Sequence, residues 1–416
     1  MSLKAILSLH RSEVTTLALS FCYFLLLLAS YYILRPVRDG LVAGAGTDQV
    51  KYLSVVILFT VLVLTPLFGA LMAHIPRYKL LPGIYAFAVA NLFLFAMAFT
   101  WPEFVTWSTR AFYIWVTVFN LFVISVFWSF MADIWNAEQG RRLFGVIAAG
   151  GSLGGLLGPM FAQNFAARFG NSGLTVIAAL LLSGATICLL LLGRMARRTP
   201  TEEGQITQSF GGSSWQGILL VLRSPFLLGI AALVIIGSVV AMFAYIELGR
   251  LAKDAFDTPE ARTAFFARFD FWTNIAALIL QGLVVGALTT RWGIKIPLVG
   301  LAVIGCVSFV PIALSPALAT LAITNVARRA SEYGLGKPVR DMLYTVTTPQ
   351  EKYLAKNVID TLVYRGADAL GSWVHTFLLA LGVTLAGLGW IATAAMGATV
   401  LIAATVARGY RLRGGL

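Results

Sequence analysis

Apolar residues in this chain come in long runs, about twenty at a time, and the charged residues collect mainly between them or at their ends. A helix rises 1.5 Å per residue, so about 20 apolar residues are what a bilayer core demands of one crossing. Twelve such spans are predicted, at 14–38, 50–73, 80–100, 110–134, 143–168, 174–193, 226–252, 264–289, 296–313, 316–343, 354–382 and 388–407. The composition agrees: 59% of the 416 residues are hydrophobic and 12% charged. The first run is followed by Arg-Pro-Val-Arg in place of a small-residue cleavage site, so it is expected to be a retained helix. Cys22, Cys188 and Cys306 all lie within apolar runs and are read as small packing or lipid-facing residues, not as a disulfide framework or a metal site.

Between the sixth and seventh spans stands "RMARRTPTEEGQITQSFGGSSW", polar, charged and rich in Gly and Ser. It divides the chain into an N-terminal six-helix bundle (1–193), a linker (194–222) and a C-terminal six-helix bundle (223–416). Lys and Arg sort by loop: Lys4 and Arg11, Arg77 and Lys79, Arg141 and Arg142, Arg194, Arg197 and Arg198, Arg291 and Lys295, Lys352 and Lys356, then Arg408, Arg411 and Arg413 all fall on one side. By the positive-inside rule that side is the cytoplasm, and both termini lie there. The net charge of +13 is thus a topology signal, and no nucleic-acid partner is expected. The halves echo each other, in "GALMAHIPRYK" from Gly69 and "GALTTRWGIKI" from Gly286, and in "YYILRPVRDG" and "AYIELGRLAKD". The expectation is an all-α membrane protein of twelve transmembrane helices, with the major facilitator fold of two six-helix bundles around a central cavity.

An ionisable residue inside a span costs roughly 2.5–3.5 kcal/mol on insertion scales, so it tends to face a cavity or a partner. Spans 3, 6, 9 and 12 have almost none and are read as lipid-facing supports. Spans 1, 4, 7 and 10 carry Arg35, Arg38 and Asp39; Asn120 and Asp133; Glu247 and Arg250; and Asn325, Arg328, Arg329, Glu332 and Arg340. They are read as the lining of an aqueous path, the alternatives being headgroup anchors for Arg35 and Arg250 and a structural ion pair for the tenth span. Span 11 adds Asp360, Arg365, Asp368 and His375, with Asp360, Tyr364, Asp368, Ser372 and His375 on one face. That stripe touches cargo or ties span 11 to span 10. The glycine-rich stretch "GVIAAGGSLGGLLGP" lacks a phosphate loop's Gly-Lys-Ser/Thr ending. Its Gly150, Gly154 and Gly158 recur every four residues, the spacing of a close-packing helix face.

"YYILRPVRDGL", "FWSFMADIW" with "EQGRRLFG", "YIELGRL", and "GKPVRDMLYTV" with "EKYLAKNVIDTLVYRGADALGSW" together resemble the nucleotide transporter family of plastids and intracellular bacteria, the ATP/ADP translocases of the major facilitator type. The likeness runs along nearly the whole chain and looks like a free-living bacterial branch. It implies four charged positions for nucleotide exchange, falling on Arg38, Asp133, Glu247 and Arg340. Arg replaces Lys at the two basic ones and Asp replaces Glu at one acidic one. A guanidinium holds phosphate oxygens in a fork where an ammonium is a point charge. Span 11 departs from the family, with Asp368 where a lysine is usual.

The resulting expectation is a monomeric transporter of the bacterial inner membrane, working by alternating access on a small anionic, phosphorylated metabolite such as ATP or ADP. Substrate-binding candidates are Arg38, Asp133, Glu247, Arg340, Arg35, Arg328, Arg329 and Glu332, with Asp39, Arg250, Asp360, Arg365 and Asp368 as support or gating. Tyr32, Trp128, Tyr245 and Tyr333 are candidates to stack a base. No cofactor or metal and no enzymatic activity are expected, since there is neither zinc spacing nor a nucleophile with a positioned base. Two rivals stay open: proton-coupled symport or export of another solute, and a membrane sensor or scaffold that does not transport.

Overall fold

A computed structural model of the chain describes residues 13–75, 77–196, 214–285, 293–348 and 350–414, and among them every regular element is a helix. We number the spans α1 (Val14–Ala45), α2 (Val50–His74), α3 (Arg77–Ala98) and α4 (Val105–Ile134). The helical stretch Ala137–Ala196 holds two spans, α5 (137–169) and α6 (171–196), broken at Gly170, whose φ of 67° is left-handed and disfavoured for a residue with a Cβ. After a short helix (Ser214–Arg223) come α7 (Pro225–Ala255), α8 (Pro259–Ile279, prolonged by a π-helical turn Leu280–Val285) and α9 (Lys295–Leu314). Span α10 runs from Leu318 to Leu343 through a π-helical turn at Glu332–Gly336; α11 runs from Glu351 to Ala380 with π-helical turns at Glu351–Ala355 and Ile359–Val363; α12 is Leu385–Leu412.

Eight of these helical stretches are long and apolar enough to cross a membrane, one of them carrying both α5 and α6. The remaining three, α8, α10 and α11, are the ones most interrupted by charge. The chain is a multi-pass membrane protein, and its described residues form twelve long helices besides the short one at Ser214–Arg223. Residues 197–213 of the expected linker lie outside the described residues, as do Lys4, Arg11, Arg291 and most of the second echoing turn from Gly286. Span α1 continues seven residues past the predicted end at 38, so Arg35, Arg38 and Asp39 sit inside a helix and not at its mouth.

Two compact units make up the chain: Met1–Ala45, Val63–Ile206 and Phe256–Phe271 in the first, and Gly46–Leu62, Thr207–Ala255 and Trp272–Leu416 in the second. The opening turns of α8 therefore belong with the first unit, and those of α2 with the second.

In the first unit α1 lies against α5 along the glycine face. A Cβ on Gly150 would stand 2.6 Å from the Phe21 carbonyl oxygen, and one on Gly158 would stand 2.7 Å from that of Ala29. One on Gly154 would press on the Leu25 carbonyl. Hydrocarbon gives helices no hydrophobic reason to associate, so close backbone contact and buried hydrogen bonds must hold them. Ser30 donates to the Ala178 carbonyl at 2.8 Å, Ser172 donates to that of Ala96 at 2.6 Å, and the Tyr23 and Tyr85 hydroxyls meet at 2.7 Å. The opening of α8 is bound in the same way. Thr263 donates to Asn171 at 2.8 Å. Arg262 donates to the Gly40 carbonyl at 3.4 Å and to the Phe256 carbonyl at 2.8 Å. Gly40 and Gly44 have no side chain where Thr263 and Arg262 approach. Arg35 and Asp270 complete the junction as a buried ion pair at 3.4 Å.

In the second unit α7 meets α11 where Gly371 faces the backbone of Val239, and α12 meets α9 where Gly389 faces the backbone of Ala313. The core between them is built from Leu227, Ile230, Leu343, Tyr344, Ile359 and Ala403.

Two stability predictions follow from these contacts. Gly154→Val should lower the thermal midpoint of detergent-purified protein, an overpacking cost of about 1–3 kcal/mol, whereas Gly300→Ala, with open space around it, should leave it unchanged. Asp270→Ala should cost about 3–5 kcal/mol by stranding a buried guanidinium, and the double change Arg35→Met/Asp270→Leu should recover most of that loss. A double variant no more stable than the single one would show that this pair does not carry the junction.

Candidate functional site

In the first unit, Arg38 leaves α1 toward α4. Its Nη2 stands 2.7 Å from the Asp39 carboxylate, its Nη1 donates to Thr117 at 3.1 Å, and its guanidinium carbon lies 5.3 Å from the Tyr113 ring centre. Both Arg38 and Asp39 are largely shielded, with side chains 11% and 3% exposed. Asp133 is on the same helix as Thr117, sixteen residues further on and exposed. At 1.5 Å per residue that is about 24 Å away along the axis. The two first-half positions implied by the resemblance thus stand at different depths and do not form one pair. Arg35, expected as either anchor or lining, is buried against Asp270. Asp270 was missed from the sequence, although an ionisable residue inside an apolar run is the same signal that flagged Glu247. Trp128 is absorbed in an aromatic cluster with Phe24, Phe127 and Phe144, a packing role.

The second unit holds a graded series of charges. In one cluster, Glu247 on α7 is 1% exposed, and both of its oxygens are taken. Arg250 gives two bonds to Oε2, at 2.9 and 2.7 Å, and His375 on α11 meets Oε1 at 2.8 Å. The span 11 stripe therefore ties α11 to α7 at this point, where a link to span 10 was the structural alternative. A second cluster is built around Arg328, whose Nε and Nη2 are held by the neutral Asn325 side-chain oxygen at 3.2 and 2.8 Å. Glu332, Tyr333 and Tyr364 lie within its electrostatic reach. Arg329 donates to the Tyr333 hydroxyl at 3.0 Å, and its guanidinium lies 5.7 Å from that ring. Arg365 bonds Asp368 at 3.1 Å and lies 5.4 Å from the Tyr364 ring, while its buried Nε has no hydrogen-bond partner. The third cluster has Arg340 donating to Glu332 at 2.9 Å, with Asp360 near enough to act on it electrostatically, and Lys356 paired with Asp341 at 2.7 Å.

Backbone irregularity marks the same places. Glu332 opens a π-helical turn and Asp360 lies in another. Such single turns break the regular hydrogen-bond ladder and are frequent at functional sites. Gly336 leaves room for the Glu332 carboxylate, since a Cβ there would stand 2.6 Å from Oε2. Glu332 is thereby brought within reach of Arg340, eight residues on.

The chemistry on offer is anion binding. Five arginines in the second unit come with acceptors that a phosphate oxygen can replace, and Arg328 and Arg365 keep donor capacity that no carboxylate fully uses. Tyr333 and Tyr364, 40% and 39% exposed beside those arginines, offer flat aromatic faces. Tyr364 was counted in the sequence only as part of the span 11 stripe. No cluster of three or more His, Cys, Asp or Glu side chains able to hold a metal occurs among the described residues.

No family model matches the chain. It is similar to ADP,ATP carrier protein 1 of Chlamydia trachomatis serovar D, 22% identical over 444 aligned positions that cover 89% of this chain and 83% of that protein. The protein of the same name from Chlamydia pneumoniae is 20% identical, over 89% of this chain and 86% of its own length. Among solved structures, a bacterial homologue of the iron transporter ferroportin in an inward-facing state superposes with a TM-score of 0.69 at 13% identity, covering 96% of this chain and all of that one. A POT family transporter in complex with a thioalcohol-conjugated peptide gives 0.64 at 13% identity over 94% and 96% of the two chains. The nucleoside transporter NupG gives 0.61 at 14% identity over 95% and 98%. The sequence likeness thus runs to the Chlamydia carriers along most of the chain, and the architecture is that of the major facilitator fold.

Proposed function

We propose that this chain is a secondary transporter of the bacterial inner membrane, with both termini in the cytoplasm, and that it moves a phosphorylated anion, specifically a nucleotide, by exchange. The observation that carries the reading is Arg328. A cation in the middle of a span is costly, and this one is held in hydrogen bonds by a neutral amide oxygen and not by a carboxylate. A phosphate oxygen would bond it directly with a negative charge that Glu332 supplies only through space. Arg340 and Arg365, one paired to Glu332 and one to Asp368, would exchange those carboxylates for further phosphate oxygens. Exchange of one anionic partner for another keeps the local charge balanced in the empty and the loaded protein. It also gives the cargo the differential affinity that a change of state requires.

The curated relatives are ADP,ATP carriers by name, and one of the solved structures with this fold is a nucleoside transporter. Tyr333 and Tyr364 supply what a base needs, an aromatic face next to a cation. Arg38, on the first unit, keeps the basic sign that the resemblance requires. In this reading Arg35, Arg262 and Asp270 are structural.

The test is exchange by full-length protein in liposomes loaded with ADP. Wild-type protein should take up radiolabelled ATP only when ADP is inside. Arg328→Ala and Arg340→Ala should each lower the initial rate roughly 10- to 100-fold, the loss of one charge-assisted contact worth about 1.5–3 kcal/mol. Gel-filtration profiles should be unchanged. Uptake by both variants at the wild-type rate would overturn the site, and uptake independent of internal ADP would overturn exchange.

A further inference from the structure

Glu247 is a carboxylate with two partners of unequal freedom. Arg250, which closes on Oε2, is 46% exposed at the side chain. His375, which closes on Oε1, is 3% exposed and lies against the Phe243 ring, 5.9 Å between centres. It is seated there by the close approach one turn earlier, where Gly371 leaves no room for a Cβ against Val239 and Met242. Arg250 therefore has open space in which to meet an anion, while His375 is enclosed.

A buried carboxylate needs one compensating positive charge, because an unpaired one costs several kcal/mol. While Arg250 supplies that charge, the imidazole has no call to be cationic. The carboxylate only accepts, so the ring carries a proton on Nε2 and donates it to Oε1, and in the neutral ring Nδ1 is the basic nitrogen. Once an anion draws Arg250 away, Glu247 loses its counter-charge. A proton from water added to Nδ1 restores it without moving a heavy atom, and the Nε2–H bond to Oε1 persists in the imidazolium. When the anion departs, Arg250 returns and the proton goes back to water. We propose that His375 is a proton-binding site that loads one proton whenever the anionic cargo detaches Arg250 from Glu247, so that cargo and proton are bound together. The anion's identity rests on the nucleotide reading above; the proton site does not.

Other charges near this pair are engaged elsewhere. On α11 itself Arg365 and Asp368 bond each other, two to three turns away, and Asp360 lies further back in the π-helical turn. On α7, Lys253 and Asp254 follow in the last turn, and Lys253 approaches Gly46. From the opening of α2, Lys51 lies over the Trp373 and Tyr52 rings at 5.4 and 5.2 Å. On α10, Arg328 and Arg329 are held by Asn325 and Tyr333. Among the described residues, none of these groups adds a further cation to Glu247 beyond Arg250 and His375.

The chain has three histidines, so magnetic resonance of full-length protein labelled at histidine Cε1 resolves the ring directly; the His375→Asn variant identifies its signal. At pH 7.5 the His375 signal should stand at the neutral position in wild-type protein and at the imidazolium position in Arg250→Gln, which mimics the detached guanidinium. A neutral ring in both proteins, or an imidazolium already present in the wild type, overturns the proposal. This measurement needs no cargo. A second arm adds ATP to weakly buffered protein and follows pH: one proton should be taken up per ATP bound by wild-type protein and none by His375→Asn. ATP bound by wild-type protein without proton uptake overturns the coupling. Absence of ATP binding, alongside the expected ring signals, overturns the nucleotide and leaves the proton site standing.

Discussion

Every guanidinium inside this membrane protein has to be answered by an acceptor within reach, and that requirement organises the rest of the structure. Arg35 is answered by Asp270, Arg38 by Asp39 and Thr117, Arg250 by Glu247, Arg340 by Glu332 and Arg365 by Asp368. Desolvating a charge costs more than any single apolar contact returns. Helix placement in each unit is therefore set as much by these partners as by the glycine faces that let backbones touch. Arg328 differs from these five, because its hydrogen bonds go to an amide oxygen and not to a carboxylate.

The three longest interruptions of apolar character, in α8, α10 and α11, are also the parts of the chain where helical geometry departs from the regular form. π-helical turns occur in all three. In α10 and α11, where Glu332 and Asp360 lie within the wide turns, charge and irregular backbone coincide for a physical reason; the turn in α8 carries no charge. A polar side chain aimed at a partner on its own helix or a neighbour needs a rotation that the 3.6-residue repeat does not always supply, and a wider turn provides it.

Much of this was legible in the residues. The length of the apolar runs gave the helices, and the every-fourth glycines of "GVIAAGGSLGGLLGP" gave a close-packing face, which meets α1. The charged positions of α10 and α11 were visible because ionisable residues stand out in an apolar run. What could not be read was who meets whom. Periodicity places Asp360, Tyr364, Asp368 and His375 on one face of α11, yet nothing in one helix says that His375 turns to Glu247, 128 residues away in the chain. Asp270 escaped notice because its run was scored for length, and its partner Arg35 lies in a different span. Nor do motifs carry depth: Arg38 lies within α1 and Asp133 at the end of α4, far apart along the helix axis.

The wide turn at Glu332–Gly336 has an evolutionary consequence. A π-helical turn amounts to one surplus residue in an otherwise regular helix. A lineage that lost a single codon here would gain a straighter, better-bonded span. Everything beyond the deletion would then rotate by about 100° relative to what precedes it, and Arg340 would turn off the face it shares with Glu332. The irregularity is thus a spacer that keeps two halves of one helix in phase, and the register of the charges resists a repair that backbone energetics alone would favour.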